Sequence, residues 1–185
     1  RVRKRRYGSA PSPFRKIEDC NRRVSSPLAA SGGIHSDRDQ GCLMAHTSET
    51  RFRVRYADTD KMGVGFYANY FVWMEVGRTD YCKTVGFSYR DMERDHANMA
   101  VADASCRYIA PARYDAEILV RTSVERLSRR LVTFVYSISN SATGQLLAEG
   151  KTVHITVSKD GKTCSIPERY YTLLATSNES RGLHE

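Results

Sequence analysis

The run Asn69-Tyr70-Phe71-Val72-Trp73-Met74-Glu75-Val76-Gly77-Arg78-Thr79-Asp80-Tyr81-Cys82-Lys83-Thr84-Val85-Gly86 decides the fold class. Within it Tyr70, Trp73, Met74, Gly77, Tyr81 and Val85 recur at three- and four-residue intervals, the helical period. Phe71, Val72 and Val76 widen the apolar surface well beyond one stripe. A helix with so little polar face is expected to be wrapped on most sides rather than laid on a surface. Gly86 ends it, as a glycine just past a helix C-terminus does.

Upstream, residues 51–58 alternate Phe52, Val54 and Tyr56 with Arg53 and Arg55, the pattern of a half-buried strand. Gly63 and Gly65 break the chain before the helix. Downstream, a short helical or looped stretch over 88–95 leads into a strand over 99–110, closed by Pro111 and a break at 113–115. Ile118, Val120, Thr122 and Val124 then alternate with Glu117, Arg121, Ser123 and Glu125. Val132, Phe134, Tyr136 and Ile138 repeat the pattern, and a turn at 140–144 precedes Val153, Ile155 and Val157. A strand, a buried helix and four long strands make an α+β layout, with a five-stranded antiparallel sheet curled around one long central helix.

Charge separates the chain into unlike parts. Of 29 Lys/Arg and 21 Asp/Glu in 185 residues, ten and four lie in residues 1–43, so the net +8 divides into +6 there and +2 over the rest. A nucleic-acid reader needs cations clustered on a folded face, and a nearly neutral domain argues against one. Residues 1–43 read as a disordered basic segment with breaker clusters at Ser9-Ala10-Pro11-Ser12-Pro13 and Ser31-Gly32-Gly33. Glu18, Asp19, Asp37 and Asp39 count against a transit peptide. An arm for anionic surfaces and upstream sequence ahead of a true start at Met44 are the other readings. The domain is expected over 44–175, with a flexible tail over 176–185. No stretch is long and apolar enough for a membrane span.

Five cysteines without a CxxC pair, and five histidines without ligand spacing, give neither a disulfide framework nor a metal site. Cys82 and Cys106 read as buried, inert thiols, and a reducing cytoplasm fits them best. No cofactor is called for.

The segment Val54-Arg55-Tyr56-Ala57-Asp58-Thr59-Asp60-Lys61-Met62-Gly63-Val64-Gly65-Phe66-Tyr67-Ala68-Asn69-Tyr70, with Glu75 and Arg78 beyond it, resembles the signature of the 4-hydroxybenzoyl-CoA thioesterase group, nearest its bacterial acyl-CoA thioesterase branch. Weaker similarity continues through Tyr108-Ile109-Ala110-Pro111-Ala112-Arg113 and Ile166-Pro167-Glu168, so it covers roughly 51–170. The resemblance implies a hotdog fold, with the sheet as bun and the 69–85 helix as sausage. It also implies a homodimer joined edge to edge, with sites at the interface, and often a homotetramer. It makes Asp60 the catalytic carboxylate and the backbone N–H of Tyr67 the group that polarises the thioester carbonyl. Gly63, Val64, Gly65, Phe66 and Asn69 fall in the substrate-binding stretch. Much of the acyl-CoA branch carries histidine in place of Tyr67, and a β-branched residue in place of Gly65. The hydroxybenzoyl-CoA type has tyrosine at the former position.

The chemistry agrees with these residue types. Thioester hydrolysis needs a carboxylate to attack or to activate water, and donors for the oxyanion that develops. A helix N-terminus offers unpaired N–H groups and partial positive charge. Thiolate leaves readily, so no histidine acid is required. From the residues alone Asp60 reads equally as a loop cap, and the resemblance decides for catalysis. Asp58 is expected to be an exposed or loop-capping acid, Glu75 to pair with Arg78 or a strand, and His154 to be structural. The substrate is expected to be an acyl-CoA or an acyl-carrier protein. Against it stand a non-catalytic acyl-CoA-binding protein and a hotdog dehydratase. The dehydratase needs a histidine–carboxylate pair, and no histidine lies between Asp60 and Val85.

Overall fold

A computed structural model describes residues 46–178. Strand β1 (Thr47–Arg53) leads through a 3-10 turn (Tyr56–Asp58) to helix α1 (Asn69–Thr84) and a short helix α2 (Tyr89–Arg94). Four strands follow, β2 (Ala97–Tyr108), β3 (Glu117–Leu127), β4 (Leu131–Asn140) and β5 (Leu146–Ser158), and helix α3 (Glu168–Asn178) closes the fold. One sheet in the order β1-β3-β4-β5-β2 holds all five strands, each pair antiparallel. That is the expected α+β hotdog architecture.

α1 lies against the sheet because its buried side chains meet inward-facing strand residues. Trp73, Met74 and Tyr81 share a core with Val120 and Val124 of β3 and with Phe134, Tyr136 and Ile138 of β4. The approach is closest at Gly77. A Cβ there would stand 2.6 Å from Thr122 Oγ1 and 2.8 Å from Val120 Cγ1, so no larger residue fits without moving the helix. β4, the central strand, is buried along most of its length.

The structure corrects three expectations. α1 is not wrapped on most sides: Val72, Glu75 and Val76 stand exposed along one face of the chain. The first strand ends at Arg53, because Val54 turns into the core while Tyr56 and Ala57 enter the 3-10 turn. The tail expected over 176–185 begins as helix. α3 runs to Asn178 and is tied down by its last turn, where His46 N–H donates to the Ser177 carbonyl (3.0 Å) and Ser177 Oγ bonds Tyr81 Oη (2.9 Å). Tyr170 and Leu174 of this helix join the core. Residues 1–43, the proposed start at Met44, and 179–185 lie outside the described residues.

β2 forms one border of the sheet, with a bulge between Val101 and Asp103 and an exposed Val101. No helix among the described residues is long and apolar enough to cross a membrane.

Candidate active site

The loop from β1 to α1 is built on Asp58. Its Oδ2 accepts from the Arg55 backbone N–H (2.9 Å) and Nε (3.1 Å), and its Oδ1 from Nη2 (2.8 Å). The side chain is therefore buried, not exposed, and its capping role is the expected one. The Arg55 hydrogen bond holds the Asp58 carboxyl below the usual carboxylate range, against the opposing effect of burial. The Asp58 carbonyl in turn accepts from Phe66 N–H (2.8 Å) and Asn69 Nδ2 (2.9 Å). Asn69 thus orients the start of α1 through backbone.

Asp60 opens a tight turn. Its N–H donates to the Val64 carbonyl (2.9 Å), its carbonyl accepts from Gly63 N–H (3.0 Å), and its Oδ1 accepts from Met62 N–H (2.8 Å). Gly63 sits at φ +71°, which a residue without Cβ adopts freely. Oδ2 of Asp60 has no hydrogen bond among the described residues, so one oxygen is anchored and the other is open. Gly65 is buried because the Trp73 indole approaches it: a Cβ would lie 2.9 Å from Trp73 Cη2. Its N–H donates to the Ala112 carbonyl (2.8 Å), which joins the loop to the segment after β2.

α1 begins without a side-chain cap. Ala68 stands at the N-cap, and the first N–H groups turn back tightly: Asn69 to the Phe66 carbonyl (2.9 Å), Tyr70 to Tyr67 (3.4 Å) and Phe71 to Ala68 (3.1 Å). The N–H groups of Tyr67 and Ala68 precede that series and donate to no acceptor among the described residues. They stand at the positive end of a sixteen-residue helix.

A cavity of about 390 Å³ brings these features together. It is lined by Asp60, Met62, Val64, Gly65 and Tyr67 of the loop, by Tyr70 of α1 and by residues 108–111. Gly63, Phe66 and Asn69 do not line it. Phe66 instead packs on the Tyr67 ring, centroids 4.5 Å apart. Met62, Tyr70 and residues 108–111 were missed as site residues. Tyr108 had a signal in the Tyr108-Ile109-Ala110-Pro111 motif, whereas Met62 had none beyond its place beside Asp60.

Several expected partners are rearranged. Glu75 is exposed and does not pair with Arg78. Arg78 is buried and donates from Nε to Tyr89 Oη (2.6 Å) and from Nη1 to Tyr136 Oη (3.4 Å). Two phenol oxygens thus accept from the guanidinium. His154 is buried on the sheet with Nε2 2.9 Å from Thr152 Oγ1, and burial together with Arg78 holds its pKa down to about 3. It is neutral and does not line the cavity, in keeping with a structural role. Burial pushes the Cys82 thiol up to about 12, while Cys106 is only half-buried. Among the described residues no group of three His, Cys, Asp or Glu side chains could hold a metal ion.

A curled five-stranded sheet packed against one long helix is the hotdog architecture, and here it carries a cavity that Asp60 and Tyr67 both line. The family model of the thioesterase superfamily matches residues 62–147. A Bacillus subtilis protein assigned by name to the acyl-CoA thioesterases, YneP, is 40% identical over 115 residues, 62% of this chain and 83% of its own length. The solved DHNA-CoA thioesterase of Staphylococcus aureus is 36% identical at a TM-score of 0.65, covering 71% of this chain and 87% of that one. The 4-hydroxybenzoyl-CoA thioesterase of a Pseudomonas strain, 20% identical with a TM-score of 0.64 over 70% of this chain and 99% of its own, shares the fold. The chain belongs to the thioesterase superfamily.

Proposed function

We propose that this chain hydrolyses acyl-CoA thioesters, with Asp60 as the catalytic carboxylate and the Tyr67 backbone N–H as the donor to the thioester oxygen. One observation carries the reading: the half-free Asp60 carboxylate and the unpartnered Tyr67 amide belong to residues lining the same cavity. Asp60 draws a proton from water as it adds to the carbonyl carbon, or adds there itself before water releases the acid. Negative charge moves onto the carbonyl oxygen, where the Tyr67 N–H and the helix terminus stabilise it. The C–S bond then breaks and the thiolate leaves, taking up a proton to give free thiol and acid.

The relatives named for acyl-CoA and DHNA-CoA hydrolysis support a CoA-linked substrate, and a carrier-protein thioester offers the same reacting atoms. A homodimer or homotetramer belongs to this reading. The β2 border and the exposed Val72 and Val76 are where a second copy would find apolar surface and unpaired backbone. The reading includes a cytoplasmic setting, in keeping with three free thiols among the described residues. The test is thiol release from a panel of short, long and aromatic acyl-CoAs, with sedimentation to give the assembly state. Steady turnover that Asp60→Asn removes is the expected result. Saturable binding of the same panel without thiol release would instead make the chain an acyl-CoA-binding protein.

A further inference from the structure

The Tyr67 amide can serve an oxyanion only if its direction is fixed, and its surroundings hold it weakly. The residue is 62% exposed, the next one provides no side-chain cap, and the first helical bond onto its carbonyl, from Tyr70 N–H, is long at 3.4 Å. Upstream the loop is pinned by Phe66 N–H and Asn69 Nδ2, both on the Asp58 carbonyl. Downstream one further bond completes the clamp: the Tyr108 hydroxyl donates to the Tyr67 carbonyl at 3.0 Å.

Tyr108 is well placed to act as a strut. It is the last residue of β2, paired with Ala148 of β5. Its ring meets Tyr70 edge-on, centroids 5.1 Å apart, and Tyr70 Oη accepts from Ala112 N–H at 3.1 Å. Sheet, post-strand segment and helix entry are thereby joined through two tyrosines. We infer that Tyr108 is a positioning residue for hydrolysis, whose hydroxyl sets the orientation of Tyr67 and so the aim of its N–H. The inference rests on the proposed role of Tyr67. N–H, Cα and carbonyl of one residue are linked by only two soft torsions, so fixing the carbonyl narrows the direction of the amide. In its protonated form the hydroxyl can donate, and its pKa is pushed up to about 12 by lost hydration and the neighbouring Cys106 thiol, so it stays a donor through neutral and mildly basic pH.

The experiment is a steady-state comparison of wild type, Tyr108→Phe, Tyr108→Leu and Asp60→Asn on the best acyl-CoA of the panel, with thermal melts for each. Losing a donor outright costs roughly 10²–10³ in kcat, and loosening its aim should cost less. Tyr108→Phe is therefore expected to lower kcat by about five- to thirtyfold with KM and Tm nearly unchanged, and Tyr108→Leu to add a rise in KM. Wild-type kcat in Tyr108→Phe, or a change confined to KM, would overturn the inference, since the ring alone would then matter. So would unfolding of Tyr108→Phe, because the bond would then be serving the fold. If Asp60→Asn retains full activity, the underlying reading fails instead, whatever Tyr108 does.

Discussion

Two helices of this protein begin in opposite ways. α2 starts with a complete capping box: Ser88 Oγ accepts from Asp91 N–H (3.3 Å), and Asp91 Oδ2 accepts from Ser88 N–H (2.9 Å). α1, more than twice as long, starts on Ala68 with no side-chain cap and leaves two amides unpartnered. Capping is worth about 0.5–2 kcal/mol, so the bare start of α1 forgoes stability that a serine or aspartate could supply. Its compensation lies elsewhere, in the Gly77 contact with β3 and the Trp73, Met74 and Tyr81 core. A helix anchored along its length can leave its first amides open for a ligand, whereas the six-residue α2 has few internal bonds and depends more on its cap.

The contrast breaks most readily at α1. Asp60→Asn keeps size and polarity but removes the charge, and should lower kcat by about 10² or more with little change in Tm. Retention of kcat would mean that the open helix start serves something other than this carboxylate.

Acid should separate stability from the site. His154 has a folded pKa of about 3, below its unfolded value, so below about pH 6.5 the unfolded chain binds the extra proton. Stability is lost as pH falls from about 6.5 toward 3, and by pH 5 the loss should reach about 2 kcal/mol. His154→Leu should flatten the dependence of Tm on pH over that interval. An equally steep slope in the variant would show that another group dominates. Asp58, with its pKa lowered, contributes stability that is present above the ordinary carboxylate range and is lost in stronger acid, as pH falls through its depressed folded value.

At α2, Ser88→Ala should cost about 1 kcal/mol of stability and leave kcat unchanged. This is the mirror of Asp60→Asn, and a drop in kcat would tie the two helix starts together. The smallest effect is expected from Tyr67→Phe, within about tenfold in kcat, because the group assigned to chemistry is the amide and phenylalanine keeps it. Damage as severe as that of Asp60→Asn would assign work to the phenol.

The long helix, the alternating strands and the Asp60–Tyr67 stretch were legible in the chain, because periodicity and local motif are properties of neighbouring residues. Tyr108 was not read as a site residue, since it meets the cavity only when β2 returns beside the loop, and Met62 carries no sign beyond its place next to Asp60. Helix α3 was read as a continuation and a tail. Only Tyr170 and Leu174 of its residues are deeply buried, too sparse a pattern to mark a helix.

By itself the sequence determined the α+β class, the order of the five strands and the long helix, and a glycine-broken loop carrying a carboxylate ahead of that helix. These follow from spacing along the chain, where side-chain period and backbone geometry act over a few residues. Tertiary structure alone decided that Asp58 is the buried anchor and Asp60 the open acid, that Glu75 faces outward while Arg78 bonds two tyrosines, and that Tyr108 meets the Tyr67 carbonyl from 41 positions away. Burial and hydrogen-bond partners of a polar group depend on what the fold brings against it, and two aspartates two residues apart carry no local sign of which will face inward.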